Sequence, residues 1–149
     1  MAIARGAGTE IIRSVHLEIV DATYSDLIVG VQHHIYTVIS CVFHSYAVAT
    51  NRNWIRMWLT GYDSKSGTSA QAMYVFKQDM SAFQTFVWND KFSFNGFEPT
   101  NYTGPLDDAT KQDAIADQGS SVVQSLIIRS EHADDNFHVN CTYIDQNNA

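Results

Sequence analysis

From His33 to Thr50 the chain reads HHIYTVISCVFHSYAVAT, eighteen residues without Gly, Pro or any Asp, Glu, Lys or Arg. β-Branched and aromatic side chains dominate, and the only strong helix formers are two Ala, so the run predicts a strand rather than a buried helix. On a period of two, Ile35, Ile39, Cys41, Phe43 and Ala47 share one face and Tyr36, Val38, Val42, Tyr46 and Val48 the other. Both sets are largely apolar, which predicts a central strand with neighbours on both edges and cover on both faces.

The flanking segments supply those neighbours. Glu10–Val20 alternates, with Val15, Leu17 and Ile19 opposite His16 and Glu18. Leu27–Gln32 is a short apolar run with a bulge or corner at Gly30. In Trp54–Tyr62 the residues Ile55, Met57 and Leu59 form a core face; Trp54, Arg56, Trp58, Thr60 and Tyr62 form the other. Gln71–Lys77 sets Tyr74 and Phe76 against Met73 and Val75. Phe83–Phe94 is dense in aromatics, and Asn89-Asp90 predicts a bulge or tight hairpin within it. Asn95-Gly96 is a turn signal, and Pro99 and Pro105 mark the following loop as irregular. Asp107–Gln118, between capping Asp residues and Gly119, is the one helical candidate. Ser121–Ser130 and Phe137–Ile144 are strands again, the latter with Phe137, Val139, Cys141 and Tyr143 inward.

Eight or nine strands at short spacing, with no βαβ rhythm, predict an all-β chain. The expected architecture is an antiparallel β-sandwich, jelly-roll-like, with at most one short helical turn. At 149 residues one domain is expected, burying roughly 70% of the unfolded surface. Its expected parts are an extended arm over residues 1–9, a sandwich over 10–144 and a tail over 145–149. The arm and tail are expected to rest on neighbouring chains, since free ends fray.

Sixteen acidic and nine basic side chains give a net charge of −7. That opposes a nucleic-acid role, which needs a basic face to displace counterions from phosphate, and does not suggest an anionic membrane surface. No apolar run reaches bilayer length, and the N-terminus lacks the apolar core of a signal peptide. Cys41 and Cys141 each fall mid-strand, and two buried free thiols are the expectation, with a disulfide or a metal role as the alternative.

The chemistry-bearing residues do not assemble into a known motif. His33 and His34 are adjacent, so a strand turns them to opposite faces. His132 and His138 flank Asp134 and Asp135, but zinc-type spacing is absent, so no metal site is expected. The carboxylates are scattered and no G-x-S-x-G occurs, so neither catalysis nor a cofactor or small-molecule substrate is expected. The most suggestive surface is Trp54, Arg56, Trp58 and Tyr62. Flat aromatics at alternating strand positions stack sugars or anchor proteins, and Trp, Tyr and Arg are typical interface hot spots. The alternative is that this face packs on the second sheet, which Arg56 and Thr60 fit badly.

The segments MAIARGAGTEIIRS, LIVGVQHHIYTV, TFVWNDKFSFNGFEPT and HVNCTYIDQNNA resemble small virion structural proteins of tailed bacteriophages, especially cyanophages. The resemblance implies a capsid decoration (cement) protein that binds the major capsid protein. It also implies assembly in the host cytoplasm and a place in the virion. A dimer or trimer would fit the local axes of an icosahedral shell. Arg5 and Arg13 on the arm are then candidate contacts with capsid subunits. A tail-tube or adaptor subunit and a carbohydrate-binding module are the alternatives.

Overall fold

A computed structural model describes residues 9–61, 72–97, 105, 107–110, 112 and 123–147. Nine strands form two antiparallel sheets: β1 (Thr9–Val20), β2 (Ser25–Val29), β3 (His34–Ala47), β4 (Asn53–Thr60), β5 (Ala72–Met80), β6 (Thr85–Trp88), β7 (Phe92–Asn95), β8 (Ser125–Ser130) and β9 (Asn136–Asn147). One sheet has the order β1-β9-β3-β6, with β7 also on β3; the other is β2-β8-β4-β5. β6 and β7 pair with successive stretches of β3, so they act as one interrupted strand. Counted that way, the chain is an eight-stranded jelly roll, the all-β sandwich expected from the strand spacing.

The core lies between the sheets. Val38, Cys41, Phe43, Phe137, Val139 and Cys141 meet Ile55, Met57, Leu59, Met80, Leu126 and Ile128, all buried. Phe43, Phe76, Phe86 and Trp88 close the side where β5 faces β6, with ring centroids 4.9–5.9 Å apart. Edge-to-face and offset geometries of this kind add to plain area burial.

Three face assignments change, for one reason. The pairing of β3 with β9 shifts register between Val38 and Ser40. One extra residue reverses the parity of everything after it, so Tyr36 and Val38 share the inner face with Cys41, Phe43 and Ser45. β3 is therefore covered on one face only, and Val42 and Tyr46 are exposed. A shift between Leu17 and Val20 on β1 turns Ile19 outward and Val20 into the core. On β5, Tyr74 pairs with Trp58 but Phe76 with Met57, so those two rings lie on opposite faces. The break at Asn89–Lys91 is the interruption between β6 and β7; because both run antiparallel to β3, it joins strands in line and is not a hairpin.

Asn95-Gly96 is also not a hairpin turn. Gly96 donates to the His34 carbonyl and accepts from the Gln124 amide, while Gly30 donates to the Gln124 carbonyl. A Cβ on Gly96 would stand 1.9 Å from the Val31 carbonyl oxygen, and one on Gly30 would stand 2.0 Å from that of Gly96. The glycines are required because three backbones converge there. Ala109, Thr110 and Gln112 are helical, and the Gln112 amide donates to the Asp108 carbonyl; the rest of the expected helix lies outside the described residues. β9 runs on to Asn147, past Ile144, so Asp145 to Asn147 extend the sheet and do not begin a tail.

Candidate functional site: a cation–aromatic face

β4 has the two faces its alternation predicts. Ile55, Met57 and Leu59 point into the core, and Trp54, Arg56, Trp58 and Thr60 point outward on the four-stranded sheet. The neighbouring strands complete the outer surface. In register, Arg129 of β8 pairs with Arg56, and Arg56 pairs with Lys77 of β5, so three cations stand abreast across three strands. Like charges directly opposite each other on a sheet repel.

Aromatic rings take up part of that cost. The Arg56 Cζ lies 4.7 Å from the Trp54 ring centroid, 5.1 Å from that of Trp58 and 5.3 Å from that of Tyr74. The Lys77 Nζ is 4.9 Å from Trp54, and the Arg129 Cζ is 4.9 Å from Tyr24, whose hydroxyl accepts from Arg129 Nη1 at 3.1 Å. Each ring face attracts a cation through its quadrupole, by about 0.5–1 kcal/mol where water remains. The Nε atoms of Arg56 and Arg129 are buried with no hydrogen-bond partner among the described residues. Asp79 pairs with Trp54, and Glu131 Oε2 accepts from the Trp54 amide at 3.2 Å. These acids border one end of the row, and among the described residues none forms an ion pair with its three cations.

Trp58 is 4% exposed. Tyr24 meets it edge-on at 5.5 Å, and Tyr74 leans against it at 6.1 Å. It is a buried footing for the face, so it offers no open surface to a sugar. The stacking platform expected of Trp54, Trp58 and Tyr62 is thereby corrected at Trp58; Tyr62 lies outside the described residues. Exposed Tyr24 and Tyr74 take the place of Trp58 at the surface. They escape the β4 pattern, together with Lys77 and Arg129, because Tyr24 lies in the connection before β2, the others belong to β5 and β8, and the β5 shift hides the parity of Tyr74. The only hint was that Arg56 already looked out of place in a core.

Arg13 and Arg5 were expected to act together on the arm. Arg5 lies outside the described residues. Arg13 sits on β1, where its Nε bonds Asp145 Oδ2 at 2.9 Å; His34 Nδ1 lies 2.6 Å from Asp145 Oδ1. This cluster lines a cavity of about 120 Å³ with Thr9, Ile11 and Asn147. Beside it, burial and then the Asp145 charge push the Tyr36 phenol up to about 12, and burial raises Tyr143 as well. Asp145 is thus occupied in holding the ends of β1, β3 and β9 together.

Of the candidate metal-bracketing acids, Asp134 lies exposed beside His132 at 3.7 Å, and Asp135 has other work. Asp135 is buried and accepts from the Ala49 amide, the Asn53 side chain and the His132 amide. Among the described residues, no three His, Cys, Asp or Glu side chains converge to hold an ion. A larger open cleft, about 330 Å³, lies between β5 and β6 and has Arg52 and Asp79 as its ionisable walls. Arg52 Nη2 donates to the Asp79 carbonyl there.

No protein-family profile matches the chain, and no curated protein matches it. Among solved structures it is similar to a chain of the Bacillus endospore appendages, described as a novel family of disulfide-linked pili. The identity is 12% and the TM-score 0.44, over 100% of this chain and 97% of that one. A likeness at this level says nothing of function.

Proposed function

We propose that this chain is a non-enzymatic virion structural protein, a capsid decoration subunit that binds the major capsid protein through the outer face of its four-stranded sheet. The observation that carries the reading is the Arg129–Arg56–Lys77 row, set among Trp54, Tyr24 and Tyr74 on a chain of net charge −7. Repulsion among three cations abreast opposes folding, and the rings offset only part of it. A carboxylate-bearing partner relieves their repulsion in charge-assisted contacts. Trp, Tyr and Arg are the side chains that anchor protein interfaces. The acidic remainder of the chain keeps the free protein soluble and favours docking by this face.

The sequence resemblance supplies the partner. A subunit that binds only the assembled shell stabilises that shell by mass action, with no chemistry required. Light scattering on the purified protein gives its oligomeric state; a dimer or trimer suits the shell's local axes, whereas rings of six or more belong to a tail. Co-sedimentation with emptied phage shells then tests docking. Saturable coating by wild type, and at least tenfold weaker coating by Arg56→Ala, support the proposal. Absence of coating, or coating indifferent to Arg56→Ala, refutes it.

A further inference from the structure

Cys41 of β3 and Cys141 of β9 are direct partners in the sheet, with Sγ atoms 2.9 Å apart, and both side chains are fully buried. Directly opposed residues of antiparallel strands have Cα atoms about 4.5–5.5 Å apart. That falls inside the roughly 4.4–6.8 Å a disulfide spans. We infer that this pair is a covalent modification site, a dithiol that a small-molecule disulfide such as oxidised glutathione closes into a cross-strand bond. The inference is independent of how the outer face of the other sheet is used.

The step balances as thiol–disulfide exchange. One Sγ loses its proton and attacks a sulfur of the oxidant, forming a mixed disulfide and releasing one small thiol. The second Sγ, deprotonated in turn, attacks the first and expels the other small thiol. The protein loses two protons and two electrons, and the oxidant gains both.

Burial governs the rate in each direction. The hydrogen bond to Cys141, and then burial, push the Cys41 thiol up, and only a thiolate attacks. Closure therefore waits until the strands part, during folding or transient opening. The same burial shields the closed bond, so reduction waits on opening too. The bond links positions 100 residues apart through the two longest-paired strands of the five-stranded sheet, where a cross-link restricts the unfolded chain most.

The test uses the full chain, purified reduced and incubated with oxidised glutathione at urea concentrations below the unfolding midpoint. Samples are quenched in acid, denatured, alkylated and weighed by intact mass spectrometry. The expected result is a fall from two alkylatable thiols to none, with loss of two hydrogens and no glutathione adduct, faster as urea rises. The closed form melts about 10 °C higher. Cys141→Ser, treated alike, retains a glutathione adduct on Cys41 that wild type does not keep. Two thiols persisting at urea concentrations that open the sheet, a stable adduct on wild type, or covalent dimers would overturn the inference; the wild-type mass reading stands even if the variant fails to fold.

Discussion

Asp135→Ala is the sharpest stability test of the sandwich. The Asp135 carboxylate is 2% exposed. Its Oδ1 accepts from the Ala49 amide at 2.9 Å and from Asn53 Nδ2 at 2.5 Å, and its Oδ2 accepts from the His132 amide at 2.9 Å. One side chain thus ties the β8–β9 turn to the connection between β3 and β4. Ala removes all three bonds. Ala49 and His132 are exposed residues, so water can replace the lost acceptor and each loss costs about 0.5–1 kcal/mol. Asn53 is itself 2% exposed, and its stranded amide costs about 2 kcal/mol more. Relief from desolvating the carboxylate offsets a part, leaving about 3 kcal/mol; at a urea slope of about 2 kcal/mol/M the midpoint falls by about 1.5 M. Asp135→Asn keeps an oxygen for Ala49 and Asn53 but turns an NH₂ toward the His132 amide, so it loses about 1 kcal/mol. Urea unfolding followed by Trp fluorescence measures both. If Asp135→Ala lies within 0.5 kcal/mol of wild type, or Asp135→Asn is as damaging, the carboxylate does not organise these turns.

Other perturbations read separate parts of the chain. Gly96→Ala meets the Val31 carbonyl oxygen 1.9 Å from the new Cβ; backbone cannot yield as a side chain does, so about 3 kcal/mol is lost in urea unfolding, and a neutral result would contradict the close approach. Trp58→Ala costs about 3 kcal/mol because the ring is buried, whereas Arg56→Ala loses three ring contacts but also the repulsion from Arg129 and Lys77, a net change of under about 1 kcal/mol; equal losses would mean that the face is purely structural. The Tyr36 phenol is raised from 10.0 to about 12 by burial. Its stabilising contribution is therefore complete below pH 10 and is lost as pH rises from 10 to 12. In alkaline unfolding series Tyr36→Phe should flatten that decline, and an unchanged slope would remove Tyr36 as its cause.

The all-β sandwich was legible because alternation carries through β4, β8 and most of β9. Ile55, Met57, Leu126, Ile128, Phe137 and Val139 sit in the core their parity predicts. What escaped were residues beyond a register shift: Tyr36 and Val38 on β3, Val20 on β1, and Tyr74 on β5. A bulge adds a residue without changing composition, so nothing local marks it. Asn95-Gly96 misled for a related reason: the dipeptide reports that Gly suits a special backbone, not whether a hairpin or a close approach uses it. The candidate site was half legible. Trp54 and Arg56 lie on one strand and share its outward parity; Arg129 and Lys77 join them only through pairing between distant segments, and Tyr24 only through its contact with Arg129. The partners of Asp135 and Asp145 are likewise long-range, and single-strand periodicity carries no information about them.

The proposed docking of the cation–aromatic face on an acidic capsid surface is read out by salt-dependent co-sedimentation with emptied phage shells. Interaction between desolvating charges predicts saturable coating by wild type that weakens as salt rises. It also predicts at least tenfold weaker coating by Arg56→Ala, whose fold and melting temperature stay close to wild type. Coating that ignores both salt and Arg56→Ala, or no coating at any protein concentration that saturates the available shell sites, would contradict the account.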